Sequence, residues 1–236
     1  MRIWDINPGY LNDKSLLGEH RELHGIVSIL VNDKKGYAKH PETLRWKGCN
    51  GALAQRHAML QAEMSLRGFR EQSPVTIVGE VDRWPSRYID PPAAQFALLA
   101  KKYRNKRPGR IPLPVSTQEL WAQHKYSVLA RDPERCKALG QSLAAAKKLE
   151  MFDDVALELV EILRCPPSSG RLANALQHMW GHVSRHVEDA SGYVNDMKPK
   201  NILSTMQRTS LICGCNYLIH STALGELSVW LAEAEH

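Results

Sequence analysis

Cysteine is scarce and oddly numbered: five residues, Cys49, Cys136, Cys165, Cys213 and Cys215, with no C-x-x-C pair among them. That argues against a disulfide framework and fits reduced thiols in an intracellular protein. No apolar run reaches about 18 residues, so a membrane-spanning helix is not expected. The opening MRIWDINPGY lacks the basic and then apolar order of a secretory signal, which leaves the cytoplasm as the expected compartment. Glycine-rich phosphate loops of the G-x-x-x-x-G-K-[ST] and G-x-G-x-x-G types are missing, and so are G-x-S-x-G and H-E-x-x-H. Nucleotide hydrolysis, hydride transfer, serine-hydrolase chemistry and zincin chemistry all lose weight. Internal repeats and low-complexity tracts are absent as well.

What is present suits one or two globular domains: 236 residues, 43% of them hydrophobic. The net charge of +6 hides an asymmetry. Up to Pro114 there are 19 Lys and Arg against 11 Asp and Glu; after it there are 12 against 14. Affinity for a polyanion therefore belongs to the first part, where neutralising phosphates would give sequence-independent, salt-sensitive binding. A merely solvated basic surface is the plain alternative.

Along the chain, Asn7-Pro8-Gly9 makes a turn, and Asn12, Asp13 or Ser15 can cap a helix carrying Leu16, Leu17, Leu23, Ile26, Val27 and Leu30 at helical spacing. It should end near Asn32 and Asp33. Glu22 shares its face of that helix with Gly18, Glu19 and Gly25, and the two glycines would let another backbone or a sugar approach closely. If the helix folds back beside Met1, an amine and a carboxylate meet in a basic setting. Spacing alone favours reading Glu19, His20, Arg21 and Glu22 as an ordinary wet face.

Lys34 to Trp46 reads as a basic loop with Lys34, Lys35, Lys39 and Arg45. Residues 51 to 68 form a strong helix in which His57 packs inward, with Gly68 placed to end it. Ser73 to Val81 reads as extended, and WPSRYIDPP as a proline-constrained loop. After a short helix over Gln95 to Tyr103 comes KKYRNKRPGRIPLP, where Lys101, Lys102 and Arg104 surround Tyr103 in a pattern suited to a nucleic-acid backbone. Its prolines make it the best domain boundary, giving domains 1–114 and 115–236. From Thr117 the pattern is helical throughout, with one helix expected over SGRLANALQHMWGHVSRHVED and a last pair from about Lys200 to Glu235. His178, His182 and His186 are spaced to share a helical face, which could serve helix packing, an anion or, least of the three, a metal.

Two blocks make the first part specific. Arg2-Ile3 followed by Leu16, Glu19 and Arg21-Glu22-Leu23 within LLGEHRELHG, and then Leu53, Arg56, Leu60, Ala62, Glu63 and Arg67-Gly68-Phe69 within ALAQRHAMLQAEMSLRGF, resemble the bacteriophage pyrimidine-dimer DNA glycosylase family. The resemblance implies a compact helical domain with long loops, acting in base-excision repair on damaged double-stranded DNA. It also implies an N-terminal α-amine nucleophile, here Met1, and a catalytic glutamate, here Glu22. Arg2 is too bulky at the second position for methionine removal, so the amine is expected to be that of Met1. Ser15 and Gly25 depart from the family's histidine and arginine, so the substrate is less closely specified than the reaction. Arg2, Glu19, Arg21, Lys34, Lys35, Arg56, Lys101, Lys102 and Arg104 are the expected DNA-contacting set. Imine chemistry of this kind needs no cofactor and no metal.

LWAQHKYSVLARDPERCKALG and GRLANALQHMWGH resemble an uncharacterised bacterial helical family, which implies a helical bundle and says little of function. A protein partner or a second ligand is left open for this half. The expectation for the whole is a mainly α protein: a glycosylase and AP lyase domain followed by a helical domain, associated with the nucleoid when acting. A noncatalytic nucleic-acid-binding protein and an RNA-directed enzyme are the alternatives.

Overall fold

The computed structural model describes residues 1–77, 79, 83–145, 151–187 and 197–232. Among these every regular element is helical, as expected of a mainly α chain. The chain divides into two compact units, Met1–Gly109 and Arg110–His236, so the division falls within the proline-rich stretch RPGRIPLP.

In the first unit, a 3-10 turn over Pro8–Tyr10 leads into α1 (Asp13–Val31), followed by α2 (Pro41–Trp46), α3 (Asn50–Leu66) and α4 (Pro92–Lys102). α1 starts where Asn12 accepts the Ser15 amide on its side chain, at 3.0 Å, with Asp13 in the first turn facing the positive end of the helix dipole. Its buried stripe of Leu16, Leu23 and Ile26 packs against α3, and Tyr10, Trp46, Leu53, Leu60 and Leu99 close the core around it. Tyr10 meets Phe96 of α4 edge to face at 4.9 Å.

α3 ends in a Schellman motif: the Phe69 amide donates to the Met64 carbonyl and the Gly68 amide to the Ser65 carbonyl, both at 2.9 Å. Gly68 takes φ +80°, which costs glycine nothing, and the chain turns back along the helix it has just left. Arg67 donates to the carbonyls of Gly9 and Leu11 and pairs with Glu63, tying the 3-10 turn to α3.

The stretch read as a basic loop contains α2. Pro41 at the first turn, a His40 Nδ1 that accepts the Glu42 amide, and the Glu42 carboxylate near the dipole start it. Arg45 is consequently withdrawn from any phosphate: its guanidinium donates twice to Asp5, at 2.7 and 3.0 Å.

In the second unit α5 (Thr117–Leu129) packs against α6 (Pro133–Ala145), α7 (Phe152–Arg164) and α8 (Ser169–Trp180). α9 (Pro199–Cys213), the short α10 (Asn216–Ile219) and α11 (Ala223–Ala232) complete the bundle. Ser116 accepts the Glu119 amide while Glu119 accepts that of Val115, a reciprocal cap at the start of α5. Arg131 and Glu226 form a buried two-pronged ion pair, both bonds 3.0 Å, and Arg131 also donates to the carbonyls of Ser127, Leu163 and Cys165. That guanidinium therefore pins the ends of α5 and α7 to α11.

The single helix expected after Ser169 is interrupted. α8 stops at Trp180 with Gly181 as its cap, and a 3-10 turn over Ser184–His186 follows. Residues 188 and 189 of that expectation, and 233 to 235 of the final helix, lie outside the described residues.

Candidate nucleic-acid-repair site in the first unit

Arg2 to Ile6 has no strand beside it among the described residues, yet most of it is buried, so its amides must find partners elsewhere. Side chains supply them. The Arg2 amide donates to Glu22 Oε2 at 2.5 Å, the Ile3 amide to Glu42, the Trp4 amide to Glu19 Oε1 at 3.2 Å, and the Asp5 and Ile6 amides to Gln95 Oε1 at 2.8 and 3.5 Å. Three helices thus hold the beginning of the chain through four acceptors: α1 through Glu19 and Glu22, α2 through Glu42, and α4 through Gln95.

Met1 stands one residue from the Arg2–Glu22 bond. Consecutive backbone nitrogens are at most about 3.7 Å apart, which puts the Met1 nitrogen within about 6 Å of Glu22 Oε2. The Met1 thioether lies over Gly25: a Cβ there would meet its sulfur at 4.0 Å. Met1, Arg2 and Glu22 are all partly exposed, so this corner of the unit opens to solvent.

The expected DNA-contacting residues divide into groups. Arg2 lies over the Trp4 ring, its Cζ 4.1 Å from the centroid, and pairs with Asp90 at 2.7 Å. Lys102 Nζ is 6.0 Å from the same ring, so Arg2 and Lys102 share one patch with Met1 and Glu22 beside it. Lys101 and Arg104 are exposed next to Lys102, at the end of α4. Arg21 is exposed on α1, beside Glu22 in sequence. Lys34 and Lys35 are exposed past the far end of α1, whose last residue, Val31, lies roughly 14 Å along the axis from Glu22 at 1.5 Å per residue, and Lys34 donates to Ser28.

Glu19 and Arg56 do not belong in that set. Each is 2% exposed, and they bind each other: Arg56 Nε to Glu19 Oε1 at 2.8 Å and Nη2 to Oε2 at 3.0 Å, with Nη1 on the Ile6 carbonyl at 2.9 Å. A guanidinium enclosed in this way cannot meet a phosphate; it braces α3 against α1 and the opening segment. Burial raises the Glu19 carboxyl above its ordinary range, and the Arg56 charge and hydrogen bonds oppose that rise. Glu42 is pushed the same way by burial, with Arg45 opposing.

A second cluster went unread in the sequence. The rings of His20 and His24 on α1 and His57 on α3 converge, with Nε2 to Nε2 separations of 3.1, 3.2 and 3.3 Å. Glu71, carried back along α3 by the turn at Gly68, brings Oε1 to 3.7 Å from His20 Nε2. His57 is a packing residue in the sense that it is 5% exposed, but its ring faces two other imidazoles. Burial first, and then the neighbouring His20 and His24, lower its pKa to about 4; burial and His24 lower that of His20. The readable signal was His20-x-x-x-His24, the same spacing that drew attention to His178 and His182.

Those latter histidines do not converge. His182 Nε2 is 2.7 Å from the Tyr126 hydroxyl and its ring stacks on Tyr217, while His186 lies beyond the end of α8 and accepts from Arg185.

The first unit is therefore a helical domain that presents an amino terminus, a carboxylate and a basic, partly aromatic patch at one exposed corner. Residues 1–77 match the sequence family described as pyrimidine dimer DNA glycosylase, and residues 125–192 match a family described as protein of unknown function (DUF1722). The glycosylase resemblance read from LLGEHRELHG and ALAQRHAMLQAEMSLRGF, fused to an uncharacterised family, is borne out by these two matches. No curated protein and no solved structure matches the chain. No helix among the described residues is long and apolar enough to cross a membrane.

Proposed function

We propose that the protein is a DNA base-excision repair glycosylase with AP lyase activity, acting at pyrimidine dimers or related lesions. Residues 1–114 form its catalytic domain, and residues 115–236 form the helical domain that follows it. The observation that supports this reading is the 2.5 Å bond from the Arg2 amide to Glu22 Oε2, which leaves the Met1 nitrogen within about 6 Å of that carboxylate. The match of residues 1–77 to the glycosylase family supports the substrate class.

An α-amine is less basic than a lysine side chain by more than two pKa units, so far more of it is free base near neutral pH. The neutral Met1 nitrogen attacks C1′ of the damaged nucleotide. The glycosidic C–N bond breaks, and the base leaves with the bonding pair and takes up a proton. The amine gives up a proton to O4′ as the sugar ring opens at the C1′–O4′ bond, leaving a protonated imine, which acidifies the C2′ hydrogen. Glu22 stabilises the positive charge at the sugar and then accepts the C2′ proton. The C3′–O bond breaks by β-elimination, the phosphate departs, and water hydrolyses the imine to restore the amine.

Arg21, Lys101, Lys102 and Arg104 lie on the surface where flanking phosphates would run, with Lys34 and Lys35 adding nonspecific grip. Arg2 joins them by exchanging its Asp90 partner for a phosphate. Extruding the target nucleotide costs least where damage has already weakened pairing, which contributes to lesion selectivity.

Borohydride trapping on duplexes carrying a pyrimidine dimer or an abasic site tests the proposal. The native chain is expected to form a covalent adduct, and a chain with an acetylated amino terminus is expected to form none. Equal trapping by the blocked chain would reject Met1 as nucleophile. Salt-sensitive binding with no cleavage over a panel of lesions would leave only a DNA-binding role.

A further inference from the structure

The three-histidine cluster poses a hydrogen-bonding problem that its own atoms cannot solve. A ring nitrogen is a donor or an acceptor at any moment, never both. Of three mutually touching Nε2 atoms, at least two are therefore of the same kind, so no choice of tautomers satisfies the contacts of 3.1, 3.2 and 3.3 Å. Two N–H groups or two lone pairs face each other in every case. A cation placed among three lone pairs removes the conflict.

The dimensions suit one. A tetrahedral zinc ion with Zn–N bonds of about 2.0 to 2.1 Å holds its nitrogen ligands about 3.3 to 3.4 Å apart. Glu71 supplies a fourth ligand: its side chain is 5% exposed, and its oxygen and the three nitrogens all lie within 4.8 Å of one another. The Glu71 carboxylate is held by the Ser73 amide and by Gln61 Nε2. We propose that His20, His24, His57 and Glu71 form a metal site for a divalent transition ion of the zinc type, tying α1, α3 and the chain after α3 together.

Imidazole and carboxylate donors in four-coordinate array favour such ions over magnesium or calcium, which take oxygen ligands at higher coordination number. The site is built for structure rather than for the repair chemistry. His20 and His24 each lie about 160° around the α1 axis from Glu22, at 3.6 residues per turn, so ion and carboxylate occupy opposite flanks of the helix. The inference consequently does not depend on the glycosylase reading.

The test uses the full chain purified without a polyhistidine tag. Elemental analysis should find about one zinc per chain in the native protein and less than a tenth of that in His24→Gln. After chelation, added zinc should raise the melting temperature of the native chain by several degrees and leave that of the variant unchanged. Cobalt supplied in place of zinc should give the intense visible spectrum of a four-coordinate ion, a measurement that needs no variant. A weak six-coordinate cobalt spectrum, a melting temperature indifferent to zinc, or undiminished zinc in His24→Gln would each overturn the site. Trapping on DNA is expected to survive in His24→Gln wherever that chain stays folded.

Discussion

Replacing Arg56 by methionine separates a residue that grips DNA from one that holds the domain together. The guanidinium makes two bonds to Glu19, 2.8 and 3.0 Å, and one to the Ile6 carbonyl, 2.9 Å, inside a site 2% exposed. Methionine fills much of the volume but leaves the Glu19 carboxylate with the Trp4 amide, at 3.2 Å, as the remaining partner among these bonds. Breaking a buried pair from one side costs about 3 to 5 kcal/mol, because the surviving charge has lost both water and its counter-ion. In a domain of this size that lowers the melting temperature by roughly 10 to 30 °C. Adding Glu19→Gln removes the stranded charge and keeps an acceptor for Trp4, so the double variant should recover more than half of the loss. Urea unfolding followed by circular dichroism measures the stability, and DNA binding across a salt series measures the phosphate contacts. A stability change under about 1 kcal/mol, together with a salt slope reduced by about one, would refute the buried-brace account.

Glu22→Gln should leave stability within about 1 kcal/mol, since the amide oxygen still accepts from Arg2, and should lower strand cleavage by about 10²- to 10⁴-fold in single-turnover assays. His124, wholly buried in the second unit, has its pKa lowered to about 4 by desolvation, so the folded state takes up its proton later than the unfolded state does. Its contribution is complete above about pH 6.5 and is lost as pH falls from there toward 4, by about 3 kcal/mol in all; urea titrations at stepped pH should show that loss flattened in His124→Gln. Gly109→Ala should destabilise the first unit by about 1 to 3 kcal/mol in thermal melts, because the new Cβ would lie 2.6 Å from the Gly9 and Tyr10 carbonyl oxygens.

The helices that carry the first unit were legible because their signals are local: the Asn12 cap and the stripe Leu16, Leu23, Ile26 for α1, and Gly68 for the end of α3. α2 was missed although Pro41 and Glu42 announce it, because a six-residue helix is too short for periodicity to register. Charge misled at Arg45 and Arg56. A basic residue in sequence reads as surface until its partner is known, and Asp5 and Glu19 lie 40 and 37 positions away. The same distance concealed the histidine cluster, whose third ring comes from α3 and whose carboxylate arrives only after the Gly68 turn. His178, His182 and His186 drew attention instead, since nothing in their spacing reveals that α8 stops at Trp180. The expectation that Met1 and Glu22 act together came from family resemblance and not from spacing, which favoured reading that face of α1 as solvent-facing.

Chain ends ordinarily fray, and a reactive group on one would have to be marshalled anew for every encounter. Here five successive amides behind Met1 are pegged to side chains from three helices. Amide exchange over Arg2 to Ile6 should therefore be as slow as in the centre of α1. In the proposed mechanism, an amine mounted on that peg would already be stationed when a sugar reached it, the ordering having been completed once, during folding.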